Sequence, residues 1–151
     1  MKTYRYTTKI NYLMKTILLV CAIVTLNSCE KKVDKECLLQ NEWKIKSISI
    51  DKKSLNPPKK TRKKDAYVLR FSNENYFFMS TSVNEAGGGC QIISDKNIII
   101  IDYHQHTESC CENDFDIQMI SVMNNVNSYH CKGNKLTFST NKNEKIIFEK
   151  Q

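Results

Sequence analysis

Trp43-Lys44-Ile45-Lys46-Ser47-Ile48-Ser49-Ile50 is the stretch from which the fold is read. Trp43 and Ile45 are two apart, as the inward residues of a strand are, and Ile48 and Ile50 resume the alternation in the opposite phase. One extra residue near Lys46-Ser47 would return all four to one buried face, which is the effect of a β-bulge. Glu42 to Ile50 is therefore expected to be a bulged strand.

Working outward, Tyr67, Leu69 and Phe71 alternate cleanly, and Ser72 to Asn75 has turn composition. Tyr76-Phe77-Phe78-Met79 follows as the hairpin partner. Val83 to Gly89 is expected to be loop, with a short strand over Cys90 to Ile93. Ile98 to Tyr103 opens with four consecutive isoleucines, which implies cover on both faces. Between Asn113 and Tyr129 the period changes. Phe115, Met119, Val122, Val126 and Tyr129 recur every three or four residues, the mark of an amphipathic helix, with Asn113 or Asp114 as its N-cap. Leu136 with Phe138 and Ile146 with Phe148 are the last two strands, divided by Asn141-Lys142-Asn143. About seven strands linked mostly as hairpins, plus one helix, make a mainly β (α+β) fold. The expected architecture is a small antiparallel β-sheet curling toward a barrel with one packed α-helix.

Before this domain, Met14-Lys15 and the apolar run Ile17 to Leu26 have signal-peptide form, too short to span a bilayer. Leu26-Asn27-Ser28-Cys29 at its end reads as a lipobox, with lipidation at Cys29 and cleavage just before it. Met14 is the natural start of such a signal; the thirteen residues before it are an over-extended start or a long n-region. The organisation expected is a signal peptide over 1–28, a charged tether over 29–36 and one β domain over 37–151. Two or more acyl chains on Cys29 would hold the protein stably at the membrane. The expected location is the outer membrane, facing the periplasm or the surface.

Cleavage also changes the charge. Losing Lys2, Arg5, Lys9 and Lys15 from 23 basic residues leaves 19 against 16 acidic ones, so +7 becomes +3. Lys52, Lys53, Lys59, Lys60, Arg62, Lys63 and Lys64 carry most of the excess around Asn56-Pro57-Pro58, which continues neither a ladder nor a helix. This is read as an exposed basic loop. Anionic lipid or glycan headgroups are conceivable targets for it, whereas nucleic acid is not an expected partner outside the cytoplasm.

Cys21 leaves with the signal and Cys29 is lipidated, so five cysteines stay in the domain: Cys37, Cys90, Cys110, Cys111 and Cys131. An oxidising envelope favours bridges among them. The expected pairs are Cys90 with Cys110 or Cys111, and Cys37 with Cys131; five is odd, so one thiol is left over.

Chemistry is sparsely signalled. His104 and His106 share a strand face, and with Cys110-Cys111 and His130-Cys131 they are candidate ligands for a soft metal. Their spacing matches no strong zinc pattern, so neither metal nor other cofactor is expected. Cys110-Cys111 is not the Cys-x-x-Cys of a redox pair. Gly87-Gly88-Gly89 lacks the Lys-Ser/Thr of a phosphate loop, and no nucleophile elbow occurs. No catalytic residue is identified. Trp43 and the stripe Tyr67, Phe71, Tyr76 and Phe78 read as core.

Taken together, Leu39-x-x-x-Trp43, Phe71-x-x-x-x-Tyr76, the Gly89-Cys90 corner, Thr107 with the cysteine pair, Val126-x-x-Tyr129 and Leu136-Thr137-Phe138 form a pattern. It resembles the META domain of HslJ-like lipoproteins over roughly residues 38 to 149. Gln40-Asn41 stands where the family has Gly after the first Leu, and Gln91 where Asn often follows the corner. The resemblance implies a small β-rich domain with one helix on envelope lipoproteins linked to stress tolerance, and no catalytic residues. The leading expectation is thus a non-enzymatic envelope lipoprotein with a structural or stress-related interaction role. Its partners would be the membrane, through Cys29, and an envelope protein. The alternatives are a lipocalin-like binder holding a small apolar ligand inside the sheet, and a metal or thiol-redox protein using the His/Cys cluster.

Overall fold

A computed structural model describes residues 35–73, 75–93, 96–105 and 113–151. Residues 35–39 form a short helix, α1, so Lys35 and Glu36 at the end of the expected tether are helical. Ten strands follow among the described residues: β1 Trp43–Ile50, β2 Lys53–Leu55, β3 Val68–Asn73, β4 Tyr76–Ser80, β5 Glu85–Ile93, β6 Ile98–Ile101, β7 His104–Gln105, β8 Val126–Lys132, β9 Lys135–Thr140 and β10 Lys145–Lys150. Helix α2, Asp114–Met123, lies between β7 and β8.

Every pairing is antiparallel, and eight strands close on themselves in the order β1-β10-β9-β8-β6-β5-β4-β3 and back to β1. Closure satisfies both edges of the sheet, which an open sheet leaves exposed. β2 extends β1 as a hairpin and β7 pairs with β5 off the ring. The register of β1 against β10 shifts between Ile45 and Ser47, where the broken alternation placed the bulge. Trp43, Ile45 and Ile48 accordingly all point inward and are buried.

The interior is made by side chains rather than left open. Trp43, Ile48, Leu69, Phe77, Phe138 and Phe148 expose no surface at all, so no void wide enough for a water adjoins them. Phe138 and Phe148 meet edge to face with centroids 5.1 Å apart, a favoured aromatic geometry. α2 lays Phe115, Met119, Val122 and Met123 into the same core. At these positions side chains occupy the space inside the sheet.

Several boundaries differ from the sequence reading, each for a physical reason. Gly87 to Gly89 lie within the nine-residue β5 rather than in a loop. Gly88 is where the Asp102 carbonyl crowds the backbone: a Cβ there would lie 1.7 Å from that oxygen. α2 ends at Met123, and Val126 and Tyr129 belong to β8. The register of β8 against β9 shifts between Val126 and Ser128, so two inward strand residues fall three apart and imitate a helical repeat. The four isoleucines of β6 are covered on one face only, since Ile99 is buried and Ile100 is 53% exposed. Tyr67 precedes β3 instead of starting it, at φ 67°.

Candidate functional site

The outer wall of β3, β4 and β5 carries the most distinctive surface. Phe77 and Met79 of β4 face the core, which turns Tyr76 and Phe78 outward, 37% and 49% exposed. The two rings are 5.2 Å apart. These residues therefore depart from the core stripe to which the sequence assigned them; Trp43 and Tyr67 are buried as expected, and Phe71 is half-buried. Register fixes the neighbours: Arg70 lies beside Phe78, Phe78 beside Gly87, Ser80 beside Glu85 and Tyr76 beside Gly89.

The segment 61–67 folds over one end of this wall. Lys63 N–H donates to the Ser82 carbonyl at 3.4 Å, Tyr67 N–H to the Ser80 carbonyl at 2.7 Å, and the Ser80 hydroxyl to the Asp65 carbonyl. Ile45 N–H donates to the Tyr67 carbonyl at 2.9 Å. Bonds on both sides of Tyr67 hold its backbone in the left-handed region, costly for a bulky residue. The turn so fixed leaves a cleft of about 630 Å³ between itself and the ridge of Arg70 and Phe78. Val68 and Ala86, both buried, line the cleft, and Lys63, Lys64, Asp65 and Glu85 supply its charges. Lys63 pairs with Glu85 at 2.9 Å, and Arg70 holds Glu42 with two bonds of 2.7 and 3.2 Å. That carboxylate raises the Arg70 pKa above its ordinary value. Both pairs are largely exposed and add little stability; their effect is to fix the charged groups in place.

Behind the same turn lies a buried polar cluster. Asn113, the N-cap of α2, accepts from Asp116 N–H at 3.0 Å and donates to the Tyr67 hydroxyl at 3.2 Å and to Ser82 Oγ at 3.1 Å. Asp116 is wholly buried, accepting from Ser82 N–H at 3.3 Å and from the Ser82 hydroxyl. Burial, with Asp116 nearby, pushes the Tyr67 hydroxyl up to about 12. The Tyr67 ring stands edge to face on Phe115 at 5.1 Å. The buried carboxylate is compensated by its place in the first turn of α2 and by the bonds from Ser82. The cluster pins α2 to the 81–84 loop.

Of the residues singled out from sequence, Cys37 and Cys131 are joined by a disulfide, with Cα atoms 6.0 Å apart. Cys90 is buried on β5, and burial pushes its thiol up to about 11. His104 is exposed on β7, its Nε2 3.1 Å from Asp102 Oδ1. Cys29, His106, Cys110 and Cys111 lie outside the described residues, as do the signal peptide and nearly all of the tether. Among the described residues no three of His, Cys, Asp and Glu gather as metal ligands. The cleft was missed because Tyr76-Phe77-Phe78-Met79 is apolar throughout, and a continuous apolar run does not disclose which alternate pair faces out.

The META domain family model matches residues 36–151. The chain belongs to the META domain family. No curated protein matches it significantly. Two solved structures resemble this META domain. A protein from Burkholderia xenovorans, solved by NMR, has a TM-score of 0.61 at 9% identity, with 80% of this chain and 88% of that one covered. A DUF4847 family protein from Bacteroides vulgatus, solved by crystallography, has a TM-score of 0.57 at 17% identity, with 76% and 95% covered. At these identities the likeness is one of fold.

Proposed function

We propose that this META-domain protein is an HslJ-like, envelope-anchored lipoprotein. It is tethered through acylated Cys29 in the outer membrane and acts by non-covalent interaction rather than catalysis. The observation that carries this reading is Leu26-Asn27-Ser28-Cys29 closing a short apolar run after Met14-Lys15. The Cys37–Cys131 disulfide supports it, because such bonds persist in oxidising compartments. It also ties the chain eight residues beyond Cys29 to β8, so a pull on the anchor reaches the barrel through a covalent cross-link.

The interaction role rests on the distribution of side chains. The barrel interior is filled by Trp43, Phe77, Phe138 and their neighbours, while exposed aromatic and charged groups meet on the outer wall at Phe78, Lys63 and Arg70. Membrane fractionation tests the anchor. The wild-type protein is expected in the detergent-extracted envelope, and Cys29→Ala, which has no thiol to acylate, as an uncleaved precursor. Equal processing and distribution of the two would refute the anchor.

A further inference from the structure

We propose that the cleft between the 63–65 turn and the Arg70–Phe78 ridge binds an acidic sugar, a hexuronate unit of an anionic glycan. This rests on the interaction reading above and deepens it by naming the ligand chemistry; it does not depend on the anchor.

Charge is the first argument. The cleft holds three cations, Lys63, Lys64 and Arg70, and two carboxylates, Asp65 and Glu85. Glu85 is engaged by Lys63, and Arg70 by Glu42 from outside the cleft. Lys64 makes no ion pair among the described residues. With Arg70 offset by Glu42 and Lys63 by Glu85, Lys64 is the cation left as the point of attachment for an anion seated here. Lys59, Lys60 and Arg62 precede these residues in sequence and add positive charge that would raise the local concentration of a polyanion.

The second argument is the mixture. A purely apolar carboxylate would bury Asp65 and Glu85 against hydrocarbon and leave them desolvated, an unfavourable outcome. A sugar acid brings hydroxyl donors for those same carboxylate oxygens, as well as a carboxylate for Lys64. Phe78 supplies the third element. Phe78 is 49% exposed, and the negative face of an aromatic ring attracts the weakly positive C–H groups of a pyranose face. The volume, about 630 Å³, falls in the range of clefts that hold drug-sized molecules and so has room for a short oligosaccharide. β4, which carries Phe78, is paired with β3 on one side and β5 on the other, so a protein strand could not dock on it by extending the sheet.

The test is a titration of the full chain in a nonionic detergent with digalacturonate, followed by amide chemical shifts. Saturable shifts centred on residues 63–65, 70, 78, 80 and 85 are expected, with a Kd below about 10 mM. Phe78→Ala and Lys64→Gln should each weaken binding at least about fivefold while Trp43 emission stays unchanged. The neutral methyl ester of digalacturonate should bind as weakly as Lys64→Gln does to the acid. No saturation, shifts centred on another face, indifference to Phe78→Ala, or equal shifts from sodium acetate would each overturn the proposal. Since binding is read without reference to acylation, its failure leaves the anchor standing, and failure of the anchor leaves it unaffected.

Discussion

Gly88 and Asp102 fit together only because Gly88 has no side chain: a Cβ at that position would lie 1.7 Å from the Asp102 carbonyl oxygen. The obstacle is backbone, which cannot swing aside as a long side chain would. Gly88→Ala should therefore destabilise by about 3 kcal/mol or more, the upper end for overpacking. At Gly89 a Cβ would meet its nearest neighbours at 3.9 and 4.0 Å, ordinary contact distances. Gly89→Ala is thus expected to be neutral or to stabilise by up to about 1 kcal/mol, since glycine is unfavourable within a strand. Urea unfolding of the two variants, followed by Trp43 emission, separates them. The single tryptophan suits this because it is fully buried, with its indole N–H donating to the Leu38 carbonyl at 3.0 Å.

Asp116 fastens α2 through Ser82. Asp116→Ala would leave the Ser82 N–H without its acceptor in a dry site, a loss of about 2–3 kcal/mol. Asp116→Asn keeps one acceptor oxygen and should lose less. Equal stability of wild type and Asp116→Ala in urea would show that the cluster does not hold the helix.

Alkaline pH should weaken the fold through Tyr67. Its folded-state pKa is raised, chiefly by burial, from 10.0 to about 12, so the neutral form is favoured in the native state. Between these values the unfolded chain has released a proton that the folded chain keeps, and stability falls as pH rises. The contribution is complete below pH 10 and lost as pH passes through about 12. Unfolding free energy measured from pH 9 to 12 should decline more steeply for wild type than for Tyr67→Phe.

The Cys37–Cys131 disulfide closes a loop of 94 residues in sequence. Restricting so long a segment of the unfolded chain stabilises the native state, and removal of such a bond typically costs about 2–5 kcal/mol. Denaturation with and without reductant should show a lower urea midpoint in the reduced protein. Cys37→Ala combined with Cys131→Ala should lower the urea midpoint in the absence of reductant.

The two bulges show what the sequence could disclose. In β1 a long alternation runs on both sides of the fault, so Trp43, Ile45, Ile48 and Ile50 reveal it and with it a bent strand. In β8 the shift between Val126 and Ser128 comes just after α2, and Val126 and Tyr129 continued the helix's own spacing. The N-cap at Asn113 was legible because its chemistry is local. Curling toward a barrel was legible in the run of hairpins, but the β1–β10 pairing that closes the ring was not, because it joins the two ends of the domain and no local pattern records it. The cleft was hidden for a related reason: its charges come from the 63–65 turn, β3 and β5, and only the closed wall brings Lys64, Arg70 and Glu85 around Phe78.

Anchorage at Cys29 is tested most directly by the intact mass of the protein extracted from membranes. The expected mass is that of a chain beginning at Cys29 and carrying a diacylglyceryl thioether, with or without a further acyl group on the new N-terminus. A mass that retains residues before Cys29, or that begins at another residue without acyl chains, would contradict it.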